Sequence, residues 1–584
     1  MRGETMRNDL LKRLTPVFVR ALLSLVLSLS LILVSPVEAN LSAGAMRARG
    51  RQTSPGIFSG SVGQFNLPPV AVNDGGPGFI TFKNRPFITG SVLANDYDPD
   101  GDILFVKSFD DSGVKGLVNY LPGGSLDTTF GSGGKVATDL GGFYYAGPLL
   151  ILPDSKILVA GYVNIFTPEG PINTAIALVR YNPNGSLDTS FYTTGVVTTT
   201  FDGDAIVNDM VLQPDGKIII TALYNPTFQP KTYYAFALAR YFPDGSLDTT
   251  FGIGGKVTTD FGGGGASSSA VTTQSDGKIV VAGWAYTSTP GSDYHDFAIA
   301  RYNPDGSPDA SFGSGGRIIT SFGNSSAGID IALQPDDKIV VAGFSGNWPS
   351  SDFALVRYNP DGTLDKNFHY SGLFTTRFNG DAWGETVVMQ PDSKIVVAGI
   401  VKPYGYTSPY YVFALARYNP DGSLDTNFDQ DGLVTTDFGY SATGQSLVLQ
   451  PDGKLILAGN TWTGSEYDFA VARYNRDGSL DTSFDGDGMV TTPFGDAYYR
   501  VSTNLQPDGK IVLAGSVDHT FALARFNPGG TFRYDPNGKF DNLPPGEEDF
   551  DTFKYTVSDG VLTDTATVTI TVIGAVQVFL PVLQ

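Results

Sequence analysis

RYNPNGSLDTSF, residues 180–191, is the phrase on which the fold turns, because the chain repeats it. Close copies start at Arg240, Arg301, Arg357, Arg417 and Arg473. Arg525 opens a shortened copy, and Tyr120 begins one that lacks the arginine. A second phrase, QPDGKI, keeps step with the first. Its lysine recurs as Lys156, Lys217, Lys278, Lys338, Lys394, Lys454 and Lys510, at spacings of 61, 61, 60, 56, 60 and 56 residues. Repetition at a period of this order marks a propeller, a solenoid or an array, with one supersecondary unit per repeat.

Each of the seven units holds four strand-like runs. In the third they are A, KVTTDF (256–261); B, AVTTQ (270–274); C, KIVVAGW (278–284); and D, DFAIARY (296–302). A Pro-Asp-Gly turn joins B to C in three units (214–216, 451–453 and 507–509), and close variants of it do so in the others, as in a tight hairpin. A longer turn-rich passage carries D into the next A. Four-stranded antiparallel units in series build either a closed β-propeller or an open stack.

The flanks choose between the two. Residues 67–124 and 530–573 read as two halves of one β-sandwich, with the repeats (125–529) between them. An open stack of seven sheets at about 10 Å per layer would part its ends by roughly 70 Å. Strands of one sandwich must meet within about 5–10 Å. A ring returns the chain to where it left, so the expected fold is all-β: a seven-bladed β-propeller inserted into a cadherin-like or Ig-like β-sandwich. If each blade is B, C, D and the next unit's A, then Lys135–Leu140 lies beside Thr520–Phe526 and closes the ring.

The repeats resemble the delta-60 family over about 120–528, since both phrases recur in all seven units; that family carries no activity to transfer. The flanks resemble bacterial cadherin-like, immunoglobulin-like tandem domains in PPVAVND (68–74), VLANDYDPDGDIL (92–104), TFRYDPNGKF (531–540) and DTFKYTVSDGVLTDTATVTITV (551–572). Both seams read Pro-Gly-Gly, at 122–124 and 528–530. The resemblance implies a propeller spliced into a sandwich loop where the two families read alike.

Asp96, Asp98, Asp100 and Asp102 alternate in NDYDPDGD, a pattern that can gather carboxylate oxygens around Ca2+. The sandwich resemblance supports calcium there. The Glu and flanking helices of an EF-hand are missing. The formal charge of −21, with only seven Glu among 59 acids and no basic block, argues against nucleic acid and anionic membranes as partners. With no Cys in the chain, disulfides and thiol chemistry are excluded.

Basic residues ahead of ALLSLVLSLSLILV (21–34) and a small-residue site at Val37-Glu38-Ala39 read as a signal peptide over 1–39. Fourteen apolar residues are short of the roughly 20 a bilayer span needs, so the expectation is a secreted or cell-surface protein without a membrane span in its mature chain. Residues 40–66 read as a flexible linker, and 574–584 as an apolar tail.

What recurs sevenfold reads as structural. Arg180, Arg240, Arg301, Arg357, Arg417 and Arg473 stand eight residues before Asp188, Asp248, Asp309, Asp365, Asp425 and Asp481, and Arg525 ends the series. A guanidinium fork meeting a carboxylate would pin each D–A connection. What varies reads as the binding surface. The A–B and C–D loops carry Trp284, Trp348, Trp383 and Trp462, with Tyr224, Tyr286, Tyr404, Tyr406 and Tyr410. In an up-and-down blade these loops share one face, suited to glycans or surface proteins; packing of the loops on one another is the alternative use for the same rings. His295, His369 and His519 fall in separate units, and no catalytic motif appears. The expected function is therefore a secreted, non-enzymatic binding or adhesion protein with a calcium-supported sandwich base. Its rivals are a calcium-dependent hydrolase or lyase acting in the central channel, and a surface-layer spacer. The channel reading needs acids on the B strands, and the runs VLQ, VTTQ, IALQ and VVMQ offer few.

Overall fold

The computed structural model describes residues 68–75, 79–82, 87–88, 92, 96, 105–110, 112–121, 123–140, 144–167, 170–226, 234–262, 265–287, 294–347, 350–405, 410–495, 497, 500–529, 531–558 and 562–574. The signal-peptide and linker segments (1–66) and the tail beyond 574 lie outside them.

Seven four-stranded antiparallel sheets follow one another among the described residues. The second is Gly203–Leu212, Ile218–Pro226, Ala235–Tyr241 and Lys256–Thr259, paired in that order. Each sheet is thus B, C, D and the A run of the following unit. The seventh is Ser502–Leu505, Ile511–Val517, Thr520–Phe526 and then Lys135–Thr138, whose Ala137 pairs with Ala522. The first and last units therefore share a sheet, and the ring closes through strand pairing between the chain's two ends of the insert.

The sequence pattern explains the packing. Strands C and D read as continuous apolar runs such as IVVAG and FALAR because both their faces are covered by neighbouring sheets. Ile279 to Ala282 and Phe297 to Ala300 are buried throughout, and the clusters they join run from one sheet into the next. One cluster unites Leu149, Val159 and Val179 of the first sheet with Val512 and Leu523 of the last.

The sandwich has a four-stranded sheet in the order Ile80–Phe82, Thr563–Ile573, Glu548–Ser558, Phe105–Asp110, and a three-stranded one in the order Phe87–Ile88, Thr531–Asp535, Leu117–Leu121. Each contains strands from both sides of the propeller. Thr531 pairs with Leu121, so the chain leaves and re-enters at facing positions. Val118 and Tyr534 of one sheet bury against Tyr555, Val557 and Val568 of the other. At the seam Gly124 has φ +84°, and a Cβ there would stand 2.8 Å from Val490 Cγ2. Only glycine suits that conformation and that clearance.

Candidate functional site

The sevenfold residues form one device. Arg180 Nε donates to Asp188 Oδ2 at 2.7 Å, and the equivalent bond is 2.7–2.9 Å for Arg240, Arg301, Arg357 and Arg417 with Asp248, Asp309, Asp365 and Asp425. Arg473 and Asp481 approach to 2.6 Å. The QPDGK lysine joins the same carboxylate, Lys454 Nζ lying 3.0 Å from Asp481 Oδ2. Each guanidinium also lies over the phrase-ending phenylalanine, 4.4 Å from the Phe191 ring in the first unit. Its Nη1 reaches the turn of the next sheet, as Arg180 does to Pro243 O at 2.8 Å. Burial raises the Asp481 carboxyl, but the charges of Arg473 and Lys454 outweigh it and carry it down to about 2. Arg525 takes Asp127 as its partner, at 2.9 Å from Nε, and donates to Pro183 O of the first unit.

The loop aromatics stand at one end of the sheets. Trp284 and Trp462 are at or near the ends of C strands Ile279–Tyr286 and Leu455–Trp462. Trp383 pairs with Ile400 at the start of B strand Gly380–Met389. All three are half-buried and backed by another ring: Trp284 by His295 at 5.0 Å and Tyr286 at 5.2 Å, Trp383 by Tyr411 at 6.0 Å, Trp462 by Tyr467 at 4.9 Å. Tyr224 packs on Phe201 and donates to Asp202 O. Tyr410 donates to Asp437, and Tyr404 is 52 % exposed. These rings pack locally, blade by blade, and also keep an edge in water. Trp348 and Tyr406 lie outside the described residues.

The acids proposed for calcium are only partly visible. Asp98, Asp100 and Asp102 lie outside the described residues. Asp96 accepts from Val72 N at 2.7 Å and from the Tyr555 hydroxyl at 3.0 Å. Burial pushes its carboxyl up to about 6, against the two hydrogen bonds and with help from Asp564. Among the described residues no three acid or histidine side chains converge as a metal would require. His295, His369 and His519 are apart; His295 Nδ1 lies 2.9 Å from Ser326 O, His369 packs on Phe374, and His519 on Tyr145.

The axis holds what the sequence did not foretell. All but the last B strand shift register near their midpoint, between Val207 and Asp209 in the second sheet and between Gly384 and Thr386 in the fifth. Such bulges re-aim side chains. They surround a cavity of about 100 Å³ to which every sheet contributes, including Asp209, Asp330, Glu385, Gln445 and Arg500. The expectation of few acids near the axis is thus corrected: three carboxylates lie just ahead of the runs VLQ, IALQ and VVMQ. Asp209 Oδ2 accepts from Val271 N at 2.8 Å and Asp330 Oδ2 from Val387 N at 2.7 Å, each reaching the next sheet. Ser446 Oγ does the same for Thr503 N at 3.0 Å. Burial, with the neighbouring Asp330, pushes Asp209 up to about 7. Burial pushes Glu385 up to about 7 as well, with Arg500 opposing and Asp330 reinforcing.

Comparison with known families agrees with this architecture. Segments 152–191, 213–251, 274–312, 334–368, 390–428 and 450–484 match the model described as "Domain of unknown function (DUF5122) beta-propeller". Residues 479–571 match a bacterial Ig domain. That linear match runs across strands the structure places in the propeller, because the other half of the Ig-like domain lies upstream, at 80–121. No curated protein matches. Similar solved structures include a protein of unknown function from Dyadobacter fermentans DSM 18053 (9% identity, 70% of this chain, 99% of that one, TM-score 0.35). They also include an α-L-arabinanase from Penicillium chrysogenum (12%, 55% and 92%, 0.36) and an acylaminoacyl peptidase from Pyrococcus horikoshii (12%, 71% and 57%, 0.37). No helix among the described residues is long and apolar enough to cross a membrane. The chain carries β-propeller repeats of the DUF5122 type together with a bacterial Ig-like domain.

Proposed function

We propose that this is a secreted or cell-surface binding protein that meets an extracellular polysaccharide or a surface protein with the loop end of its propeller. The observation behind this reading is the placement of Trp284, Trp383 and Trp462 at the same end of three different blades, each held by a second ring while one edge stays in water. Rings fixed in advance lose little conformational freedom on binding, and scattered weak contacts add up across a broad face. Calcium, held by Asp96 together with Asp98, Asp100 and Asp102, would stabilise the sandwich base.

The test is binding of the secreted chain to a panel of polysaccharides and cell envelopes, in millimolar calcium and in chelator. A Trp284→Ala/Trp383→Ala/Trp462→Ala variant with an unchanged melting curve is expected to bind at least about ten-fold more weakly. Equal binding by the variant removes the aromatic face from the mechanism. The channel carboxylates favour a second reading, hydrolysis at the axis. Reducing ends released by the wild type and not by Glu385→Gln would establish that reading instead.

A further inference from the structure

The axial cavity has a chemistry of its own, independent of the loop face. Its residues come from one short segment of each unit, at the bulge in every B strand but the last, and the units differ there: Asn208, Ser269, Ile329, Glu385 and Gln445 occupy equivalent places. Some of these groups are spent on the protein. Gln445 Oε1 accepts from Val501 N at 2.6 Å, and Asn208 Nδ2 donates to Ser268 O at 2.6 Å. Arg500 crosses from the seventh sheet to donate Nη1 to Asn208 O of the second at 2.9 Å. Two groups are not spent. Ser269 is 8 % exposed and lines the cavity, yet its hydroxyl has no hydrogen-bond partner among the described residues. The Glu385 carboxylate, half-buried on the same lining, has none either. A nine-tenths-buried hydroxyl and a half-buried carboxylate that face the cavity with no protein partner among the described residues are left to bond to whatever enters it.

Charge narrows what that partner is. Asp209, Asp330 and Glu385 face the cavity with Arg500 as their one cationic neighbour there among the described residues, so the site attracts positive charge. The acids do not converge closely enough among the described residues for three of them to share a bare metal ion. A ligand that brings its own hydrogen-bond donors suits the two groups left over, a hydroxyl and a carboxylate.

We propose that the propeller axis, at the level of Glu385, binds a small protonated primary amine, its N–H groups donating to the Glu385 carboxylate and the Ser269 hydroxyl while Asp209 and Asp330 keep the surroundings negative. Ionised carboxylates are the binding form, so affinity increases from pH 6 to pH 8 as Glu385 and Asp209 lose protons against the opposing charge of Arg500.

The test is calorimetric titration of the full secreted chain with ethylammonium chloride at pH 8, beside tetramethylammonium chloride at the same ionic strength and calcium chloride. Saturable ethylammonium binding is expected, with none for tetramethylammonium, which has no N–H donor. Glu385→Gln should weaken it at least ten-fold and Ser269→Ala several-fold, both with cooperative melting. Absence of saturable ethylammonium binding to the wild type overturns the proposal, as does equal affinity in Glu385→Gln. Calcium binding that disappears in Glu385→Gln, without amine binding, would reassign the channel to a metal.

Discussion

Asp127→Ala is expected to lower the unfolding free energy by about 3–5 kcal/mol, the usual cost of leaving a buried ion pair with one partner. Asp127 is fully buried. Its Oδ2 meets Arg525 Nη2 at 2.7 Å and Lys510 Nζ at 3.3 Å, and its Oδ1 accepts from the Thr129 N–H and hydroxyl. Removing it leaves a guanidinium and an ammonium stranded where water is scarce. Arg525 would keep the face of Phe130, 4.5 Å away, which is worth far less than the carboxylate.

The position matters as much as the pair. Asp365→Ala breaks the same contact inside the ring, where the covalent chain still joins the two sheets. Asp127 lies where first and last units meet through non-covalent contacts: Lys135–Thr138 against Thr520–Phe526, the Tyr181 hydroxyl on Thr138 at 3.0 Å, and the apolar cluster shared by the two sheets. Urea unfolding of both variants should show the larger loss for Asp127→Ala. A loss below 1 kcal/mol, or equal losses, would mean that apolar packing alone closes the ring. Burial raises the Asp127 carboxyl, yet Lys510 and Arg525 bring it below its ordinary value. Its contribution is therefore present above about pH 4, the unfolded value, and lost as pH falls through the lower folded one.

The same residue marks how far sequence could lead. The arginine–aspartate pairs were legible because they are local, eight residues apart, and repeated. Asp127 belongs to the same set, in GSLDTTF, but its arginine is 398 residues downstream and its own unit starts without one. The seam foretold that the ends meet; it gave no residue-level partner. Blade phase was legible for a related reason, since shared phrases divide the chain at a place only closure explains. The positions of Trp284, Trp383 and Trp462 at one end of the sheets were readable. Their half-burial was not, because it depends on which ring each loop folds back on.

Non-repetition hid the axis. Counted back four places from the glutamine of QPDGK, or its equivalent, the units show Pro148, Asp209, Ala270, Asp330, Thr386, Ser446 and Ser502. No period survives there, and Glu385, five places back from Gln390, is one place out of step with Asp209 and Asp330. Strand alternation breaks at a bulge, so neither reading by twos nor reading by repeats brings those three acids together. Only the ring does so, by gathering one short segment from each unit around an axis.

Those acids carry the second large effect. Glu385→Gln is expected to make the protein more stable at pH 8 by on the order of 2–3 kcal/mol and to leave it unchanged at pH 5. Burial lifts the Glu385 carboxyl from 4.5 to about 7, against Arg500 and with Asp330. Between those values the folded chain holds a proton that the unfolded chain has released. Stability from the protonated group is complete below about pH 4.5 and is lost as pH rises through about 7. Asp209, raised from 3.8 to about 7, acts in the same direction. Wild-type unfolding free energy should therefore fall from pH 5 to pH 8, whereas the variant's curve should be flatter. Asp209→Asn keeps an acceptor for Val271 N, so the double variant should be flatter still, by less than the sum because both acids interact with Asp330. Parallel curves for wild type and variant would mean that the cavity solvates Glu385 well enough to erase its shift. A fall confined to the wild type would show a carboxylate kept at the axis against the interest of the fold, as expected of a group retained for what it binds.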